Sequence, residues 1–226
     1  MPTLLITGAN RGIGLAMVGS FAIDGWKVHA CCRHPERAKE LRSMEGNITI
    51  HKLDVADELK VASLARELID EPVDLLINNA GYYGEKTPFG ETDYEDWMHH
   101  FKVNTMGPMR MAEAFVRHVG ASEKKLIVNI SSKVGSVGEN TSGNSYPYRS
   151  SKCALNMVTK SLSIDLAERD ITVLALHPGW VQTEMGGPDA LISTAKSVSG
   201  LRKVIAKAGK EQTGQFINYD GTQIPW

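Results

Sequence analysis

Cysteine is scarce, with three in 226 residues. An odd count with no zinc-type spacing gives no disulfide framework and points to a reducing, cytoplasmic setting. Cys31 and Cys32 are adjacent in an expected strand and so face opposite sides of a sheet, while Cys153 falls in a helical pattern. Long apolar runs are missing too. Leu4-Leu5-Ile6 and Val173-Leu174-Ala175-Leu176 fall far short of the roughly 20 residues that cross a bilayer. The start Met1-Pro2-Thr3 has no basic segment and Gly8 interrupts the apolar stretch, so neither a signal peptide nor a membrane role is expected. Neither sign of charge dominates: 25 Lys and Arg stand against 26 Asp and Glu, a formal net charge of −1. That leaves no basic footprint for nucleic acid. His99-His100 carries no metal argument, because neighbours on a helix face apart and no third ligand is suitably spaced.

The length fits one large α/β domain over residues 1–226 better than two small ones. Strands are expected at Thr3–Thr7, Lys27–Cys32, Ile48–Leu53, Val73–Asn78, Lys125–Ile130, Thr172–His177 and Gln215–Asn218. Helical periodicity marks Gly12–Asp24, Pro35–Met44, Leu59–Glu71, Tyr94–Val119 and Pro147–Glu168. Strict alternation, with runs such as Leu75-Leu76-Ile77 apolar on both faces, predicts a Rossmann-type, doubly wound parallel sheet of about seven strands covered by helices on both sides. The segment from Gln182 to Lys210 breaks the rhythm, with Gly186-Gly187 near its root. It reads either as a lid over a site or as a packed surface helix.

The first strand runs through Thr7-Gly8-Ala9-Asn10-Arg11-Gly12-Ile13-Gly14 into a helix. Glycines there let the backbone turn sharply and approach a pyrophosphate, which the unpaired N–H groups and dipole of the helix start stabilise. The spacing is Gly-x-x-x-Gly-x-Gly rather than the common dinucleotide fingerprint. Where the second strand ends, an acidic residue would take a ribose 2′-hydroxyl; this chain has Arg33, with Arg37 one turn on and Arg11 in the glycine loop. Cations there suit the 2′-phosphate of NADP(H). Asp54-Val55 after the third strand and Asn79-Ala80-Gly81 after the fourth lie at carboxyl ends of strands, where adenine and ribose would sit.

Tyr148 and Lys152 are four apart at the start of an expected helix and share a face. For a phenol to act near neutral pH its pKa of about 10 must fall by about 3 units, roughly 4 kcal/mol. One ammonium about 5 Å away supplies about 3 kcal/mol at an effective dielectric near 20, and far less in water. The pair therefore needs a pocket. Tyr146 lacks such a partner, since Ser150 stands four residues on. The fifth strand ends in Ser131-Ser132, and a hydroxyl there can hydrogen-bond a substrate oxygen beside the phenol. Ser132 is the candidate for that role and Ser131 for the cofactor side. Tyr82, Tyr83, Trp180 and Met185 are candidate walls of an apolar substrate pocket, or core.

Glycine loop, Asn-Asn-Ala-Gly, Ser-Ser and Tyr-x-x-x-Lys, in that order, resemble the short-chain dehydrogenase/reductase superfamily from Thr3 to about Tyr219. Tyr148–Asn156, Leu176-His177-Pro178-Gly179-Trp180-Val181, Thr183–Gly187 and Asn218–Gly221 with Trp226 are most similar to sniffer-type carbonyl reductases and C-factor proteins. The resemblance implies Tyr148 as acid/base, Lys152 as the residue that lowers its pKa and holds the nicotinamide ribose, and Ser132 on the substrate oxygen. It places Asn104 at a water of a proton relay, Asp54 at adenine and Asn79 at the adenosine ribose. It also puts the Val181 backbone on the carboxamide and Thr183 near the diphosphate, with Pro178 and Gly179 counted on the cofactor side. The interval from Ser132 to Tyr148 exceeds the common family spacing, with Gly138–Asn144 as the insertion. The implied activity is NADPH-dependent reduction of a small ketone or aldehyde, in a homodimer or homotetramer paired through Tyr94–Val119 and Pro147–Glu168. A rival reading, of another class, is an NADP(H)-binding signalling or redox-sensing protein.

Overall fold

The computed structural model describes residues 1–85 and 88–226. Seven strands form one parallel sheet: β1 (Thr3–Thr7), β2 (Lys27–Cys32), β3 (Ile48–Lys52), β4 (Leu75–Asn78), β5 (Leu126–Ile130), β6 (Thr172–His177) and β7 (Phe216–Asn218). Their order is β3-β2-β1-β4-β5-β6-β7, every neighbouring pair parallel. Chain direction across the sheet reverses between β1 and β4, so a crevice opens at their carboxyl ends.

Helices α1 (Gly12–Ile23), α2 (Lys39–Arg42), α3 (Glu58–Glu67), α4 (Tyr94–Phe101), α5 (Gly107–Gly120), α6 (Tyr146–Asp165) and α7 (Thr194–Lys207) cover the sheet. Leu4 and Ile6 point to one side and Leu5 to the other, as strand alternation requires. On the first side Met17, Phe21, Leu201 and Ile205 join the core, and on the second Leu64, Met111, Phe115 and Leu162. Cys32 and Cys31 divide between those layers.

Two expected helices and the expected excursion differ in detail. Pro35–Met44 breaks at Ala38 (ψ 63°) into a 3-10 turn, Pro35–Arg37, and α2, with the Ala38 side chain buried in the core. Tyr94–Val119 is interrupted by a π-helical turn, Lys102–Met106. Pro108 has no N–H to donate back to Asn104, and the Asn104 side chain turns inward. The expected excursion over 182–210 divides: α7 sinks Val198, Leu201 and Ile205 into the core, and residues 182–185 border the crevice. No described helix is long and apolar enough to cross a membrane.

Candidate active site

The crevice, about 430 Å³, lies against the ends of β1, β2, β4 and β5. Gly8 and Gly12 adopt φ of 66° and 54°, a left-handed conformation that favours glycine. A Cβ on Gly14 would lie 2.2 Å from the Gly8 carbonyl oxygen and 2.6 Å from Asn79 Nδ2. The helix that follows begins with no side-chain cap and no acidic residue in its first turn. Its amides and dipole therefore face the crevice unneutralised, which suits a pyrophosphate.

The glycine turn is held from β4. Asn79 Nδ2 donates to the carbonyls of Thr7 (3.0 Å) and Gly8 (3.1 Å), and the amides of Asn79 and Ala80 donate to Thr7 Oγ1 at 3.1 and 3.0 Å. The Asn79 amide donors, expected at a ribose, are thus turned onto the loop backbone. Asp54 Oδ1 accepts from the Ala56 amide at 2.9 Å and lines the crevice beside Val55.

Arg33, Arg11, Asn10, Ile13, Ala80, Gly81, Pro178 and Thr183 are also on the lining. Arg11 forms an ion pair with Glu184. Arg37, expected as a third cation, does not border the crevice and its Nε lies 3.9 Å from Glu36. Gly179 and Val181 do not line the crevice either. Gly179 turns at φ 87° against Ile192 and Tyr219, and Val181 forms an isolated bridge with Ile192.

At the other end, Tyr148 and Lys152 both line the crevice. Burial of the Tyr148 hydroxyl pushes its pKa up to about 12, opposed by the nearby Ser132 side chain. Lys152 is 4% exposed, and burial brings its ammonium down to about 8. Its Nζ donates to the Ile130 carbonyl at 2.8 Å and stands 5.8 Å from the centre of the Tyr148 ring. The lowering expected from Lys152 does not appear: burial raises the tyrosine and only Ser132 opposes it. Residues 138–144 loop outward and leave Ser132 in reach of Tyr148. Ser131, expected on the cofactor side, is on the crevice lining, which Ser132 is not, and gives its hydroxyl to Asn156 Oδ1 at 2.6 Å.

Several residues that hold this end were not singled out from the sequence. The Lys133 amide, next to Ser132, donates to His177 Nδ1 at 3.2 Å. Burial and Lys133 bring His177 down to about 4, which keeps Nδ1 an acceptor. Asn104, which the resemblance placed at a proton-relay water, is fully buried and bonds Tyr82 and Ser151 through its side chain. His100, beside Asp96, is buried and faces the carbonyls of Asp96 and Tyr83. The four-residue spacing of Asp96, His100 and Asn104 was the available signal.

The match to known proteins decides the family. The model described as short chain dehydrogenase matches residues 2–191. The chain belongs to the short-chain dehydrogenase family. It is 41% identical over 164 residues to C-signal of Myxococcus xanthus, covering 73% of this chain and 99% of that protein. The structure of the carbonyl reductase Sniffer of D. melanogaster superposes with a TM-score of 0.95 at 34% identity, covering both chains fully. An NADPH-bound carbonyl reductase from chicken fatty liver gives 0.90 at 33%, covering 100% of this chain and 99% of that one. Membership makes the chain one of the oxidoreductase type, with the doubly wound sheet its sequence predicted.

Proposed function

We propose that the protein is an NADPH-dependent reductase of small ketones or aldehydes. The observation that carries this is the crevice itself, which runs from an uncapped helix start and two arginines to a phenol and a buried lysine. When bound, NADPH supplies the hydride to the carbonyl carbon. The chain's own residues do the rest. The first-turn amides of α1 hold the pyrophosphate, Arg33 and Arg11 the 2′-phosphate, Asp54 the adenine, and Lys152 the nicotinamide ribose.

Tyr148, with its pKa pushed up to about 12, keeps its proton at neutral pH, which is the form that donates to the substrate oxygen. Ser132, close to that phenol, holds the same oxygen in place. Asn104, with both amide protons spent, fixes Tyr82 and the π-helical turn. Exposed Met98, Met157 and Ile164 on α4 and α6 support pairing of two copies, checked by sedimentation.

The test is NADPH oxidation with a panel of aldehydes and ketones. Turnover with at least one, lost in Tyr148→Phe while NADPH still binds, is the expected outcome. Similarity to C-signal favours a second reading, a cofactor-binding signalling protein. Tight NADPH binding without turnover across the panel would favour it.

A further inference from the structure

Asp96, His100 and Asn104 run at four-residue intervals from α4 into the π-helical turn, and together they grip the two residues that follow Gly81. Asn104 Oδ1 accepts the Tyr82 amide at 2.8 Å, and Nδ2 donates to the Tyr82 carbonyl at 2.7 Å. Asp96 Oδ1 accepts the Tyr82 hydroxyl at 2.7 Å. His100, 1% exposed, sets Nε2 2.7 Å from the Tyr83 carbonyl and Nδ1 2.8 Å from the Asp96 carbonyl.

The Asp96 carboxylate reaches the same ring, with Oδ2 3.3 Å from Nδ1. Gly84 lets the chain pass over this pair. It sits at φ 66°, and a Cβ there would lie 2.6 Å from His100 Cε1 and 2.8 Å from Asp96 Oδ2.

A stretch outside helix and strand is thus anchored at residue after residue, and what it presents is the ring of Tyr83. That ring meets Tyr148 edge to face, with centroids 4.7 Å apart and an interplanar angle of 65°. It therefore stands against the phenol that would give its proton to the substrate. Tyr83 is half-buried, so an apolar group on an incoming molecule can still pack on it.

We propose that Asp96, His100 and Asn104 are positioning residues that fix Tyr83 against Tyr148, and that Tyr83 is the wall selecting carbonyl compounds with an aromatic or bulky apolar group beside the reacting carbon. The proposal rests on the reductase reading. Loss of a single apolar wall changes selectivity by about tenfold or more, whereas a residue that merely supports the fold would affect every substrate alike.

The experiment compares benzaldehyde with acetaldehyde, using NADPH and the full chain. Tyr83→Ala is expected to raise KM for benzaldehyde about tenfold, and to leave acetaldehyde and the Kd for NADPH within about twofold. His100→Ala should give the same split, and the double variant should be no worse than either single one, because both act through one ring. Additive losses, or equal losses on both aldehydes, would overturn the proposal. Gly84→Ala, which pushes the loop off His100 from the other side, replaces His100→Ala if that variant does not fold.

If the wild-type protein reduces no carbonyl, the reductase reading fails and the selectivity half falls with it. The positioning half is then decided by amide exchange. Faster exchange at Tyr82–Glu85 in His100→Ala, with Leu126–Ile130 unchanged, supports it, and unchanged exchange in both segments overturns it.

Discussion

Lys152 Nζ is bonded to the carbonyl oxygen of Ile130 at 2.8 Å, so the ammonium is held by the end of β5 rather than by the tyrosine it was expected to activate. With burial bringing it down to about 8, Lys152 loses its charge well below the ordinary lysine range. The profile of kcat/KM should therefore fall on the alkaline side with a limb near pH 8. Lys152→Arg, which stays charged, should remove that limb even if it lowers the maximum. A limb that persists unchanged in the arginine variant would assign it elsewhere.

Replacing Tyr148 with Phe removes the donor and leaves the ring. Turnover should fall by about 10²–10⁴-fold, the usual contribution of a general acid, with NADPH affinity kept within about twofold. Stopped-flow NADPH oxidation alongside fluorescence titration checks both halves. A variant as active as the parent would take the phenol out of the chemistry.

On the proposed function, cofactor choice turns on Arg33 and on Arg11, which is ion-paired with Glu184. Arg33→Ala should weaken NADPH by about tenfold or more, the loss of one charge-assisted hydrogen bond, and leave NADH nearly unaffected. Glu184→Gln frees Arg11 and should tighten NADPH. Paired titrations with the two cofactors separate these effects from a general loss of binding.

Acid should loosen the sheet. His29 and His51 lie side by side on β2 and β3, with His29 Nδ1 2.9 Å from His51 Nε2. Burial, then the charges of His51 and Lys27, brings His29 from 6.5 to about 4; burial lowers His51 against the opposing pull of Glu67, and His177 is also near 4. The folded protein thus takes up these protons later than the unfolded chain. Stability is complete above about pH 6.5 and is lost as pH falls towards 4. Tm measured across that window should drop, and the drop should be shallower in a His29→Leu, His51→Leu double variant.

The glycine turn allows a stability test free of catalysis. A methyl on Gly14 must displace the Gly8 carbonyl, 2.2 Å from the added carbon, while one on Gly25 meets nothing within 4 Å, though at φ 77°. Gly14→Ala should lower Tm by more than Gly25→Ala and also abolish NADPH binding. Equal effects would mean that the close approach is relieved at no cost.

Strands were legible because each is a short, strongly apolar or β-branched run. β1, β2 and β6 begin and end where the sequence placed them. The crevice was legible because glycines, Asn79 and the Tyr148–Lys152 pair stand at strand ends and one helical turn apart, both local features. What was not legible depends on partners distant in sequence. The break at Ala38 follows from its burial in the core, and the π-helical turn from Asn104 reaching Tyr82, 22 residues away. The role of His177 emerges only when β6 lies beside the turn after β5. The direction of the tyrosine's shift was also hidden, because desolvation depends on what packs around it.

The strand order has a consequence for a chain emerging from the ribosome. β1 is completed first, and β2 and β3 then build outward along one of its edges, so the opposite edge of the central strand stays bare until Leu75–Asn78 has been made. An open edge of this kind is a template for pairing with another chain. The Leu4-Leu5-Ile6 backbone is thus the most vulnerable piece of the nascent protein and, once β4 has docked, one of its most protected. A translational pause before residue 75 would prolong that exposure, and one just after β4 has emerged would not.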